Sequence, residues 1–188
     1  MTGSRSRFPP SALAWSLLPA GMIALHAPAA EYLTVAQAQR LMFPLATSFA
    51  AQPETVTAEW LRRAKARGDE NYGRRPPQIR EARQGDVRIG WFVIDQVIGK
   101  FEKIDYAVAL TPDGTVLQVE VLVYRENHGD EVRAREWLQQ FEGKNANAPI
   151  RLGQDIVNIA DSTLSSAHLT DGVRRIARLL APDPATPR

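Results

Sequence analysis

Apolar and polar positions along this chain change period several times, and each change marks an element. From Val87 the period is two. Val87, Ile89, Trp91 and Val93 alternate with Arg88, Gly90 and Phe92, as in a strand with unlike faces. Ile104, Tyr106, Val108 and Leu110 repeat the pattern. Pro112-Asp113-Gly114 then signals a tight turn, because Pro restricts one dihedral and Gly permits a positive one. Leu117, Val119, Val121 and Val123 form one face of the next strand, opposite Val116, Gln118, Glu120, Leu122 and Tyr124. The pattern predicts an antiparallel hairpin from Ile104 to Tyr124.

Helical periods flank these strands. Thr34 reads as an N-cap, with Gln37 completing a capping box, for a helix over Val35–Phe43 that Pro44 stops. A second helix is expected over Ala58–Ala66, with Trp60, Leu61 and Ala64 on one side. Gly68–Pro77 is polar and rich in breakers, as a loop is. A third helix over Glu131–Phe141 carries Val132, Trp137, Leu138 and Phe141, and Glu142–Pro149 reads as a loop. In the last helix Leu169, Val173, Ile176 and Leu180 recur at offsets of four, seven and eleven, and Pro182 and Pro184 end it. The expected fold class is α+β, an antiparallel sheet meander flanked by N-terminal and C-terminal helices, in one domain without internal repeats.

The first 29 residues are set apart from that domain. Arg5 and Arg7 precede an apolar stretch from Ala12 to Ala27, and Ala27-Pro28-Ala29 offers small residues for cleavage. This is the layout of a secretory signal peptide over residues 1–29, with cleavage after Ala29; the competing reading is an uncleaved anchor. Pro19, Gly21 and Pro28 interrupt the stretch, which is short for a membrane span. Arg5 and Arg7 are the only charged residues before Glu31, so the 23 Lys and Arg and 21 Asp and Glu of the whole chain become 21 of each sign beyond it. A balanced domain gives no support for nucleic-acid binding. Without Cys, the chain has no thiol catalysis, Cys-ligated zinc or Cys-bound iron–sulfur cluster. The expected location of residues 30–188 is periplasmic or extracytoplasmic, held at the membrane, if at all, by a partner.

The segment Asp155-Ile156-Val157-Asn158-Ile159-Ala160-Asp161-Ser162-Thr163-Leu164-Ser165-Ser166 concentrates hydroxyls before the last helix. The bland reading is a Ser/Thr-rich helix start. The segment also resembles the flavin-attachment segment of the FMN-binding domain family, whose usual form is D-x-x-S-G-A-T-x-[ST]-S. Ala160, Asp161 and Ser162 stand where that family has Ser, Gly and Ala, and Val157 stands where it has Asp. Further elements fit in order: Glu31–Pro44 as the entry helix and Ala107–Gly114 as the hairpin. Tyr124-Arg125-Glu126-Asn127-His128-Gly129 fits as Y-x-E-x-x-G, and Trp137, Gln140, Phe141, Gly143 and Lys144 as W-x-x-Q-F-x-G-K.

The resemblance implies FMN joined by a phosphoester to Thr163, with Ser162, Leu164, Ser165, Ser166, Glu126 and Lys144 as further cofactor-binding positions. It implies a flavin transferase for maturation and a membrane-bound reductase or electron carrier as partner. The expected function is then an exported electron carrier rather than a stand-alone enzyme. A flavin-free periplasmic interaction module, which kept the fold and lost the cofactor, is the alternative, and Asp161 and Val157 motivate it.

Other residues read more plainly. Ser165 or Ser166 is expected to cap the last helix. His168, Arg174 and Arg175 read as surface charges on it, and Asp155 is a candidate to replace the carboxylate missing at Val157. Glu126 and Lys144 also suit a strand end and a Gly-Lys turn. His128 beside Glu126 and Asp130 reads as a solvated loop rather than a metal site, and Trp137 and Phe141 as core. No Ser-His-Asp or paired-carboxylate arrangement supports hydrolase chemistry.

Overall fold

A computed structural model of the chain describes residues 30–66, 76–126 and 129–182. The signal-like segment, most of the Gly68–Pro77 loop, His128, Pro184 and the side chain of Ala64 lie outside the described residues. The elements are β1 (Ala30–Glu31), α1 (Val35–Met42), β2 (Ser48–Ala51), α2 (Glu54–Ala66), β3 (Gln78–Gln84), β4 (Val87–Ile98), β5 (Lys103–Leu110) and β6 (Val116–Tyr124). A chain of short turns comes next: 3₁₀ at Asp130–Arg133, α3 (Arg135–Leu138), and 3₁₀ at Gln139–Phe141 and Ala160–Ser162. The long helix α4 (Thr163–Leu179) closes the fold. Strands β2 to β6 form an antiparallel meander, and β1 adds two residues beside β6. The chain is thus α+β, with N-terminal helix α1 and C-terminal helix α4 on opposite faces of the sheet.

The strand alternation survives tertiary folding with three corrections. Ile104, Tyr106, Val108 and Leu110 of β5 all enter the main core. In β6, Leu110 faces Val116 but Ala109 faces Gln118, and Tyr106 faces Val121 but Asp105 faces Val123. Leu117 and Leu122 are therefore bulge residues. Each bulge switches the face of the residues after it, so Val116, Val119, Val121 and Tyr124 share the main core, against strict alternation. A third shift, leaving Ile89 opposite no partner, moves Ile89 to the other face from Trp91. Strands β2 and β3 carry no clear period-two signal. β3 reads Gln-Ile-Arg-Glu-Ala-Arg-Gln and buries only Ile79 and Ala82, so pairing with β4 makes it a strand.

The main core fills the space between the sheet and α4, whose Leu169, Val173 and Ile176 are buried together with Leu180 at its C-cap. A smaller cluster on the other face joins Phe92, Ala107, Ala109 and Leu122 to Ala38 and Met42 of α1. Helix α2 starts four residues before the expected Ala58, at Glu54, and its Trp60 meets Trp91 edge-on with ring centroids 5.4 Å apart. The expected helix over Glu131–Phe141 is instead three short pieces, because its apolar side chains all turn toward the core around Ala134 and Gln139. Arg175 is no surface charge. Its side chain is 11% exposed and its Nη2 lies 3.3 Å from Asp95 Oδ2, the oxygen that also accepts from the Tyr106 hydroxyl at 2.9 Å. Burial, reinforced by Asp95, holds the Tyr106 pKa well above its ordinary 10.0. Among the described residues no helix is long and apolar enough to cross a membrane.

Candidate functional site

The hydroxyl-rich segment is held by the short turns that precede it. The Trp137 indole donates to Val157 O at 2.8 Å, and Val157 N donates to Gln140 Oε1 at 2.8 Å. Gln140 Nε2 in turn donates to Trp137 O at 3.1 Å. The Trp and Gln of the W-x-x-Q-F element thus hold one residue, Val157, by both its C=O and its N–H, while Phe141 packs edge-on against Trp137 in the core. The Val157 side chain points to solvent at 68% exposure.

Asp155 does not replace a carboxylate there. It accepts from Ile150 N at 3.1 Å and Arg151 N at 2.7 Å, and pairs with Lys144 Nζ at 3.0 Å. Burial raises its pKa, but these N–H donors and Lys144 prevail and lower it from 3.8. Lys144 and Asp155 together close the turn that delivers the segment to α4.

Thr163 is the first residue of α4, not the residue before it, and Ser162 occupies the N-cap position without a side-chain cap bond. The Ser162 hydroxyl donates instead to Glu131 Oε2 at 2.9 Å. Its space is tight: a Cβ on Gly129, at φ 85°, would lie 2.7 Å from Ser162 Oγ. Neither Ser165 nor Ser166 is a cap, since both lie inside the helix and are buried. Ser166 Oγ sits 2.9 Å from Ser162 O and 3.1 Å from Asn158 Oδ1. Asn158 Nδ2 donates to Thr163 Oγ1 at 3.3 Å, and Thr163 Oγ1 lies 3.1 Å from Ala160 O. The Thr163 side chain is exposed. Ser165 is 4% exposed, and among the described residues its hydroxyl has no hydrogen-bond partner.

The start of α4 opens on a cavity of about 360 Å³. One wall carries Asp161, Ser162, Thr163, Leu164 and Ser165; the other carries Lys100, Phe101 and Glu126. Glu126 builds that second wall. Its Oε1 accepts from Phe101 N at 2.6 Å and Glu102 N at 3.0 Å, and Gly99 N donates to Glu102 O at 2.7 Å. His168 Nδ1 lies 2.5 Å from Ile98 O, so it carries the proton and pins the same loop to α4. Gly99 is required by close approach, because a Cβ there would lie 2.6 Å from Glu126 Oε1 and 2.9 Å from Ser165 Oγ.

Of the residues expected from sequence, the cavity gathers Ser162, Thr163, Leu164, Ser165 and Glu126. Ser166 is buried and Lys144 is engaged with Asp155, and neither lines the cavity. Lys100 and Phe101 escaped sequence reasoning. Their signal is Gly99-Lys100-Phe101-Glu102 between two alternating strands, a turn that leaves a large aromatic 75% exposed. Among the described residues no group of three His, Cys, Asp or Glu side chains is placed to hold a metal ion. Compared with known proteins, the chain matches no family model and no curated protein.

Proposed function

We propose that this protein is an exported electron carrier that holds FMN through a phosphoester on Thr163. The observation that carries the reading is an exposed threonine at the start of a 17-residue helix without a side-chain cap, on the wall of a cavity also lined by Lys100, Glu126 and Ser165. A Ser165 hydroxyl that has no hydrogen bond among the described residues and lies on the cavity wall suits a phosphate-bearing ligand. A helix start adds N–H groups and the positive end of the helix dipole.

Thr163 acts as the nucleophile during maturation by a flavin transferase. Its Oγ1 gains the bond to the FMN phosphorus as the phosphoanhydride bond within FAD breaks. AMP leaves, and the hydroxyl proton passes to a base of the transferase. Thr163 Oγ1 lies near the Ala160 and Ile159 carbonyls and accepts from Asn158, so its lone pairs and proton are already oriented. The bound flavin supplies electron acceptance and release between a membrane reductase and an extracytoplasmic acceptor. The chain supplies the cavity, the anchoring hydroxyl and exposure of the Phe101 and Leu164 rim.

The test is intact-mass measurement after co-expression with a flavin transferase. An FMN-sized gain that vanishes in Thr163→Val is expected; an unlabelled natural chain sinks the reading. The second reading, a flavin-free interaction module, is favoured by the Asp161 carboxylate on the cavity wall, which repels a phosphate. It requires that the natural chain stay unlabelled and that Val157→Asp, Asp161→Gly and Ser162→Ala together restore labelling.

A further inference from the structure

The cavity at the start of α4 has an unbalanced set of polar groups. Lys100 lines it with its ammonium 5.1 Å from the Phe101 ring centroid. Among the described residues Lys100 makes no ion pair. Asp161 lines the opposite wall, exposed and likewise without an ion pair among the described residues. Ser165, a residue 4% exposed, brings a hydroxyl with no hydrogen bond among the described residues. Glu126 is differently placed, since its Oε1 is shared between two backbone N–H groups of the Lys100 loop. The first turn of α4 receives no side-chain cap. A cation, a hydroxyl without a hydrogen bond among the described residues and a helix start without a side-chain cap thus line one space.

We propose that Lys100 and Ser165 form the phosphate-binding half of this cavity, and that Lys100 offsets the negative charge which Asp161 adds. The ligand class is a phosphate monoester carrying a flat aromatic group, which the exposed Phe101 ring borders. This rests on the flavin reading of the same site and assigns it a cation from the β4–β5 loop. A lysine binds phosphate as a point charge, and stacking beside an aromatic ring holds its stem in place. Ser165 Oγ has no hydrogen bond among the described residues and can donate to a phosphate oxygen.

The inference is tested without the covalent step. The natural protein, purified from cells lacking a flavin transferase, is titrated separately with FMN and with riboflavin, following flavin fluorescence. Riboflavin lacks only the phosphate. FMN is expected to bind about tenfold more tightly, one charge-assisted contact's worth, with the preference shrinking in high salt. Lys100→Ala is expected to erase the preference, Lys100→Arg to keep it, Ser165→Ala to reduce it and Asp161→Gly to increase it. Thermal unfolding of each variant identifies any that fails to fold, and the Arg and Gly variants keep the test valid if an alanine variant does. Equal binding of both flavins, binding of neither, or a preference that survives Lys100→Ala overturns the inference. The two proposals separate cleanly. A retained FMN preference with no covalent adduct overturns attachment alone, and an adduct on Thr163 with an FMN preference that survives Lys100→Ala overturns the role of Lys100 alone.

Discussion

Helix α1 begins with both halves of a capping box in place, whereas α4, twice its length, begins with none. In α1, Gln37 N donates to Thr34 Oγ1 at 3.2 Å and Thr34 N donates to Gln37 Oε1 at 2.8 Å. In α4 the N-cap Ser162 turns its hydroxyl to Glu131, and Thr163 turns its own toward the carbonyls behind it. Hydroxyls are denser at the second start than at the first, yet none accepts from the helix. The difference shows that a Ser/Thr-rich helix start is not evidence of a cap. A cap needs an oxygen whose lone pairs face the free N–H groups, and tertiary partners decide that. The closed start stabilises its own helix; the open one borders a cavity.

Four substitutions probe that contrast beyond the two binding tests, in order of falling effect on stability. Gly99→Ala is expected to cost the most, about 3 kcal/mol by denaturant titration, because the new Cβ meets both Glu126 and Ser165. It should also abolish FMN binding. Unchanged stability and binding would show that the loop yields freely and that the open start of α4 borders no built cavity.

Asp155→Asn is expected to cost less, and its signature is pH. The folded pKa of Asp155 lies below its ordinary 3.8, so its contribution is fully present above that value and is lost as pH falls through the folded pKa. The variant should be less stable at neutral pH and should lose less stability on acidification below about pH 4. An acid limb identical to that of the natural chain would remove Asp155 and Lys144 from the support of the α4 start.

Thr34→Ala should cost about 1 kcal/mol, the usual value of an N-cap. Thr163→Val should change stability by less than about 0.5 kcal/mol, since its side chain is exposed and its hydroxyl caps nothing. If the two costs prove equal, the contrast between a closed and an open start fails.

Legibility in the sequence tracked the range of the interactions. The capping box of α1 and the stripe of α4 were legible because residues three and four apart on a helix are neighbours in any context. The β5–β6 hairpin was legible for the same reason, through alternation and a Pro-Asp-Gly turn. In the site, Thr163 and Glu126 were legible only through a resemblance spread along the chain. Lys100 and Phe101 were not, since a lysine and a phenylalanine in a short connection carry no periodic signal. Arg175 was misread because a charge on a helix announces neither Asp95 nor Tyr106 on the strands beneath it.

By itself the sequence determined the α+β class, the central hairpin, the amphipathic last helix and the concentration of hydroxyls at its start. Local periodicity and turn chemistry suffice for those. Only tertiary structure decided which hydroxyls are engaged, where bulges at Leu117 and Leu122 turn β6, and that the Glu131–Phe141 segment breaks into short pieces. It also decided that the Gly99–Glu102 loop stands across from Thr163. The physical reason is shared: hydrogen bonds and packing between residues far apart in the chain select among conformations that are locally almost equal in free energy.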